Sequence, residues 1–167
     1  AGLAGEKGRV YAFEPLPRNV RFLRRHVALN HYENRVDVIE AGFATSSPGN
    51  YRTVKLIAKE LGTKATICSL ARTEHKDIED AARALEPAEY HRIHTFIATS
   101  DIHIESKLQS TREAVLEKTI SAVEKAKRYT DDVEFSLEDF GRTDPNYAIQ
   151  VANAAIQAGA TTINLPD

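Results

Sequence analysis

The side chains with chemistry to offer fall on predicted strands. Residues His91 to Lys107 read HRIHTFIATSDIHIESK. Strand side chains alternate between faces, so Ile93, Thr95 and Ile97 share one face and Arg92, His94, Phe96 and Ala98 the other. The stretch Ala98-Thr99-Ser100-Asp101 then places polar groups where a parallel strand ends, the edge at which open α/β sheets and β/α barrels hold ligands. Further along, Glu134, Ser136 and Glu138 alternate with Val133, Phe135 and Leu137. Glu40 on an earlier strand and Thr162 and Asn164 on the last add to a polar face. Histidine, serine and carboxylates on one sheet face can hydrogen-bond a small polar ligand or exchange protons with it.

Other groups admit a plainer reading beside the chemical one. His91 and His94 lie on opposite strand faces and do not chelate one metal without distortion. His103 approaches His94 across a loop or is simply exposed. Cys68 is a nucleophile only beside a base that lowers its pKa, and otherwise a small buried apolar residue. Ser46-Ser47-Pro48-Gly49 opens a helix and either binds an anion through free N–H groups or just caps it. Glu134 and Glu138 are about 13 Å apart at the ~3.3 Å rise of a strand, too far for a retaining glycosidase pair.

The elements that must position these groups alternate along the chain. Arg9 to Glu14 is a short strand stopped by Pro15 and Pro17. Arg18 to Asn30 is a helix with Val20, Leu23 and Val27 on one side and Arg21, Arg24 and Arg25 toward water. Val36 to Ala41 is the second strand. Ser47 then caps a helix with Pro48 in its first turn, Val54, Ile57, Ala58 and Leu61 inward, and Gly62 at its C-cap. Thr66 to Ala71 is strand three, and Asp77 to Leu85 a helix burying Ile78, Ala81, Ala82 and Leu85. After strand four, Ser110 to Tyr129 reads as one long helix with Leu116, Ile120 and Val123 inward. Asp132 to Glu138 is strand five. Asp144-Pro145 starts a helix that buries Ala148, Val151, Ala152 and Ala155 and ends at Gly159, and Thr161 to Leu165 is strand six.

Composition bounds what such a chain can be. Its 167 residues, 42% hydrophobic, suffice for one buried core, and no Pro, Gly or Ser tract marks a linker, so residues 1–167 are expected to form a single α/β domain. Twenty-two Lys and Arg against 24 Asp and Glu give a net charge of -2, which offers no general attraction to nucleic acid or an anionic membrane. The single cysteine precludes an intrachain disulfide. No apolar run approaches the ~20 residues of a membrane span, and no leader precedes the first strand, so a cytoplasmic location is expected. The absence of methionine suggests a fragment, a processed chain or an artificial sequence.

Alternating strands and helices predict a parallel sheet with right-handed crossovers, a (βα)5β arrangement. A polar second face favours part of a TIM-like barrel, with an open, doubly wound Rossmann-like sheet as the alternative. Six strands fall short of the eight that close a barrel, so either association with another chain through the open sheet edges, a second copy included, or rearrangement into an open sheet is expected.

Two family resemblances follow from these segments. IEAGFATSSPGN, ICSLAR, HRIHTFIATSDIHIESK, YTDDVEFSLEDFGRT and AGATTINLPD resemble strands two to six of the 2-isopropylmalate synthase catalytic barrel, covering residues 39–167. GEKGRVYAFEPLPRNVRFLRRHVALN with ENRVDVIEA, in residues 1–38 and just beyond, resembles a βαβ unit of FkbM-type methyltransferases. The first resemblance implies an aldol-type acyl transfer to a 2-oxo acid with a divalent metal, and implies substrate-side roles for His94, Ser136 and Glu138. The family's metal motifs, an acidic one after the first barrel strand and a His-x-His on the seventh, have no counterpart here. The second resemblance implies S-adenosylmethionine bound through Glu14, but the glycine loop that accompanies it is missing.

The sequence therefore reads as a chimeric, engineered α/β scaffold without a complete catalytic site, and no cofactor is expected in it. Two alternatives stand beside that reading. One is an isopropylmalate-synthase-like acyltransferase fragment that still binds a 2-oxo acid; the other is a residual S-adenosylmethionine binder.

Overall fold

The computed structural model describes residues 10–13 and 36–166. Glu14 and the predicted Arg18 to Asn30 helix lie outside the described residues. The chain divides into two compact units, one of residues 1–70 with 80–92 and one of residues 71–79 with 93–167.

In the first unit, β1 (Val10–Phe13), β2 (Val36–Phe43) and β3 (Thr66–Arg72, of which the residues up to Leu70 belong here) are parallel neighbours in that order, with Glu40 opposite Cys68. Between β2 and β3 runs α1 (Pro48–Leu61). Its start is the predicted cap: the Ser47 hydroxyl accepts from Asn50 N at 3.1 Å, with Pro48 in the first turn. Val54, Ile57, Ala58 and Leu61 are buried, as the i, i+3, i+4, i+7 spacing requires. Gly62 ends α1, but not through a left-handed conformation: its φ is -63°. Glycine is needed there for space, since a Cβ would stand 2.4 Å from Ala88 Cα. That close approach lets Tyr90 N donate to Gly62 O at 3.2 Å and Ile67 N to Tyr90 O at 3.0 Å.

Helix α2 (His75–Leu85) begins two residues earlier than predicted. Ile78, Ala81, Ala84 and Leu85 are its buried apolar residues, while Ala82 is half-buried.

In the second unit, β4 (His91–Ala98, of which Ile93 onward belongs here), β5 (Val133–Glu138) and β6 (Thr162–Asn164) are again parallel neighbours in chain order. Ile93, Thr95 and Ile97 form one buried face of β4, and Val133, Phe135 and Leu137 the matching face of β5. Three helices follow these strands: α3 (Asp101–Ser106), α4 (Arg112–Lys127) and α5 (Pro145–Ala158). The predicted single helix from Ser110 to Tyr129 is corrected at both ends, because the Thr111 hydroxyl accepts from Ala114 N at 3.2 Å and starts α4 there. Its inward face is corrected too. Val115, Thr119, Ala122, Val123 and Ala126 are buried, whereas Ile120 is exposed and Leu116 half-buried. Small and β-branched residues let the helix lie close, and that outweighs burial of the larger isoleucine. Asp144 caps α5 onto Tyr147 N at 2.9 Å, and Gly159 ends it at φ 113°, a conformation costly for any residue with a Cβ.

Within each unit the strands are parallel neighbours in chain order, and helices join β2 to β3, β4 to β5 and β5 to β6; this is an α/β fold of repeated βα units, the pattern of part of a TIM barrel. A doubly wound sheet would reverse its order at a switch point, and neither unit does.

Candidate functional site

The second unit builds its polar face from the strand positions that do not meet the apolar core. Register places His94 beside Glu134, Phe96 beside Ser136 and Ala98 beside Glu138, and then Glu134 beside Thr162 and Ser136 beside Asn164. His94 and Ser136 are both buried, and His94 Nε2 lies 2.6 Å from Ser136 Oγ. Asn164 Nδ2 reaches the same hydroxyl at 2.9 Å. Glu134 Oε1 stands 3.7 Å from His94 Nε2, within ion-pair range when the imidazole is protonated. A histidine, a serine and an amide thus form one hydrogen-bonded row across three strands, bordered by a carboxylate.

Glu138 lies two residues beyond Ser136, at the C-terminal end of β5. It takes Lys107 Nζ at 2.6 Å and does not join the His94 row. Next to it, Asp139 adopts a left-handed backbone, φ 64°, and gathers a second polar group. Arg142 Nε donates to its carboxylate at 2.8 Å, and Ser100 Oγ donates to it as well. These two hydrogen bonds, Arg142's first, hold the Asp139 carboxyl below the usual carboxylate range. His103 Nδ1 is 3.4 Å from the same carboxylate, close enough for charge attraction but not aligned as a hydrogen bond.

Of the predicted site residues, the structure brings His94 and Ser136 together and sets Glu138 apart with Lys107. Glu14 lies outside the described residues. His103 approaches Asp139, and His91 Nδ1 lies 3.3 Å from Ala88 O. Cys68 is buried and in no disulfide. Lys107 and Asp139 were not singled out by sequence, because their importance comes from what β5 and α3 place beside them. Asn164 was placed on the polar face, and only the β5–β6 register shows that it meets Ser136.

Among the described residues no helix is long and apolar enough to cross a membrane. The HMGL-like family model matches residues 24–167. A 2-isopropylmalate synthase of Nostoc sp. is 57% identical over 134 residues, 79% of this chain and 25% of that protein. The corresponding enzyme of Thermosynechococcus vestitus is 56% identical over 134 residues, and that of Pseudoalteromonas atlantica 52% over 132, with the same coverage of each chain. The chain spans about a quarter of the length of these curated relatives.

Proposed function

Because the chain belongs to the HMGL-like family, we propose that it is the substrate-side part of a 2-isopropylmalate-synthase-like acyltransferase and binds a small 2-oxo acid through His94, with Ser136 orienting its ring and Glu138 holding the Lys107 ammonium as a second donor. The observation that carries this reading is the buried 2.6 Å contact between His94 and Ser136 on the polar face of β4 and β5. A 2-oxo acid presents only acceptors, a carboxylate and a ketone, and a histidine N–H and a lysine ammonium are donors that suit them. A cytoplasmic location belongs to the same proposal.

The acyl transfer that the family resemblance implies also uses a divalent metal, which would polarise the ketone. Three of the second unit's polar groups, Glu138, Asp139 and His94, are already held by other side chains. Glu138 is committed to Lys107 at 2.6 Å, Asp139 to Arg142 at 2.8 Å and His94 to Ser136 at 2.6 Å, so a cation would have to displace protein donors at each. Binding of the acid is the activity proposed.

A methyltransferase-like origin for residues 1–38, with Glu14 on S-adenosylmethionine and an engineered junction, is the competing reading. The family match begins at residue 24, inside that stretch, and so favours a single-family segment over a chimera.

Thermal unfolding with and without 2-oxoisovalerate, in magnesium and in chelator, tests the proposal. A ligand that binds only the folded chain raises the midpoint, by about 2.7 kcal/mol of stability at a hundred times its Kd. We expect a concentration-dependent rise in both buffers that is lost in Ser136→Ala. A midpoint indifferent to the acid would refute the reading.

A further inference from the structure

One hydrogen-bond row crosses all three strands of the second unit, from Asn164 on β6 through Ser136 on β5 to His94 on β4. Asn164 Nδ2 lies 2.9 Å from Ser136 Oγ, and His94 Nε2 lies 2.6 Å from that same oxygen. Ser136 is 3% exposed and His94 6%. Among the described residues, these two are the hydroxyl's partners.

The chemistry of the groups gives the row a direction. An amide nitrogen only donates, so Ser136 Oγ is the acceptor toward Asn164. The hydroxyl keeps one hydrogen of its own, and leaving it unpaired in a buried site costs ~1–3 kcal/mol. The acceptor within reach is His94 Nε2, which must then carry no hydrogen. Glu134 pulls the other way, since a carboxylate favours a proton on the nitrogen facing it. At 3.7 Å, however, its oxygen is beyond hydrogen-bond distance, while the serine is well within it.

We infer that Asn164 is a positioning residue: by occupying Ser136 as a donor it turns the serine hydrogen onto His94 Nε2, and so holds His94 as the neutral tautomer protonated on Nδ1. The use made of that tautomer rests on the 2-oxo acid reading above, in which His94 is a hydrogen-bond donor; the tautomer makes Nδ1, not Nε2, the donating nitrogen. The tautomer itself does not depend on any ligand.

Nitrogen NMR of the 15N-histidine-labelled chain at about pH 8, above the ordinary histidine range, reads the tautomer directly. The His94 signals are identified by their loss in His94→Gln. We expect a protonated Nδ1 and an unprotonated Nε2. A carboxylate at position 164 can only accept, so in Asn164→Asp it takes the serine hydrogen, Ser136 accepts from the imidazole, and the proton moves to Nε2. A proton on Nε2 in the unsubstituted chain, a doubly protonated ring, or an unchanged pattern in a folded Asn164→Asp variant would each overturn the inference. Should Asn164→Asp fail to fold, the unsubstituted chain still decides, because Nε2 protonation there contradicts the proposed direction. Titrating 2-oxoisovalerate into the same sample tests the functional reading separately, so either can fail without the other.

Discussion

The phenol of Tyr147 donates to the backbone oxygen of Arg112 at 2.8 Å, while the Arg112 guanidinium lies 4.8 Å from the centre of the same ring. The first residue of α4 is thereby tied to the first turn of α5. Arg112 also grips Asp101 of α3 through two hydrogen bonds, at 2.7 and 2.6 Å. Tyr147 is 4% exposed, and burial pushes its hydroxyl up from 10.0 to about 12, with Arg112 opposing. A phenol whose pKa is raised in the folded state contributes stability that is whole below pH 10 and is lost as pH rises toward 12. In Tyr147→Phe that alkaline loss should shrink by up to about 3 kcal/mol. Near neutrality the variant should lose ~1 kcal/mol for the missing hydrogen bond. Denaturant unfolding of both chains across pH 8 to 12 checks the two effects together, and parallel pH profiles would contradict them.

Two glycines near α1 should respond in opposite ways to alanine. A Cβ at Gly62 would meet Ala58 O and Ala88 Cα, both at 2.4 Å and both backbone, which cannot step aside as a side chain can. Gly62→Ala should cost roughly 2–3 kcal/mol or more. At Gly49 the nearest atom is the Ser47 hydroxyl oxygen at 3.6 Å, an ordinary contact, within helical backbone. Gly49→Ala should be neutral or stabilising by ~0.4–1 kcal/mol. Chemical denaturation of the two variants distinguishes these outcomes, and similar values at both positions would show the spacing argument to be wrong.

The contrast shows where sequence alone reaches. Gly62 was legible as the end of a helix, because glycine follows a periodic apolar run. Its actual reason, the approach to Ala88 twenty-six residues later, is tertiary and leaves no local trace. The alternation in β4 and β5 was legible for a related reason: period-2 side chains report a face without knowledge of the neighbours. It placed Ile93, Thr95 and Ile97 opposite His94, as the structure does. Helix α3 was not legible. Six residues, DIHIES, are too few to show a 3.6-residue period, and the helix is fixed by His103 N and Ile104 N donating to Ser100 O. In α4, Leu116 and Ile120 suggested one face and the smaller Thr119, Ala122 and Ala126 another, and close packing decided for the second. The site followed the same division. His94 and Ser136 share a predictable face, whereas the pairings of Glu138 with Lys107 and Asp139 with Arg142 depend on loops whose course no periodicity gives.

Thr95 sits among the buried positions of β4 with its hydroxyl out of contact with solvent and without a hydrogen-bond partner among the described residues. A buried hydroxyl left unpaired has lost its water and gained nothing, at a cost of ~1–3 kcal/mol. Valine has nearly the same shape and the same β-branch. Thr95→Val should therefore stabilise the chain, by about 1 kcal/mol, where a typical core substitution destabilises. Equilibrium unfolding measures it, and a loss of 1 kcal/mol or more would mean that the hydroxyl is satisfied after all.

We propose that copies of this chain associate beside β6. β6 pairs with β5 on one side and ends the strand order among the described residues. Beside it lies an apolar groove of about 450 Å³ between α5, β6 and the turn at Phe140–Arg142, lined by Phe140, Ile149, Ile163 and Leu165 among others. Ile149 is 60% and Leu165 49% exposed. Covering a side chain of this size is worth ~1.5–3 kcal/mol, so each contributes roughly tenfold or more to an association constant if it is buried between copies. A charge at either position would have to be desolvated in the same contact, which adds to the loss. Sedimentation velocity over a concentration series should show the unsubstituted chain associating, and Ile149→Glu with Leu165→Glu should return it to monomer. Both residues are exposed, so the double variant should keep its thermal midpoint within a few degrees. If association persists undiminished in that folded variant, the groove beside β6 is not the surface that brings copies together.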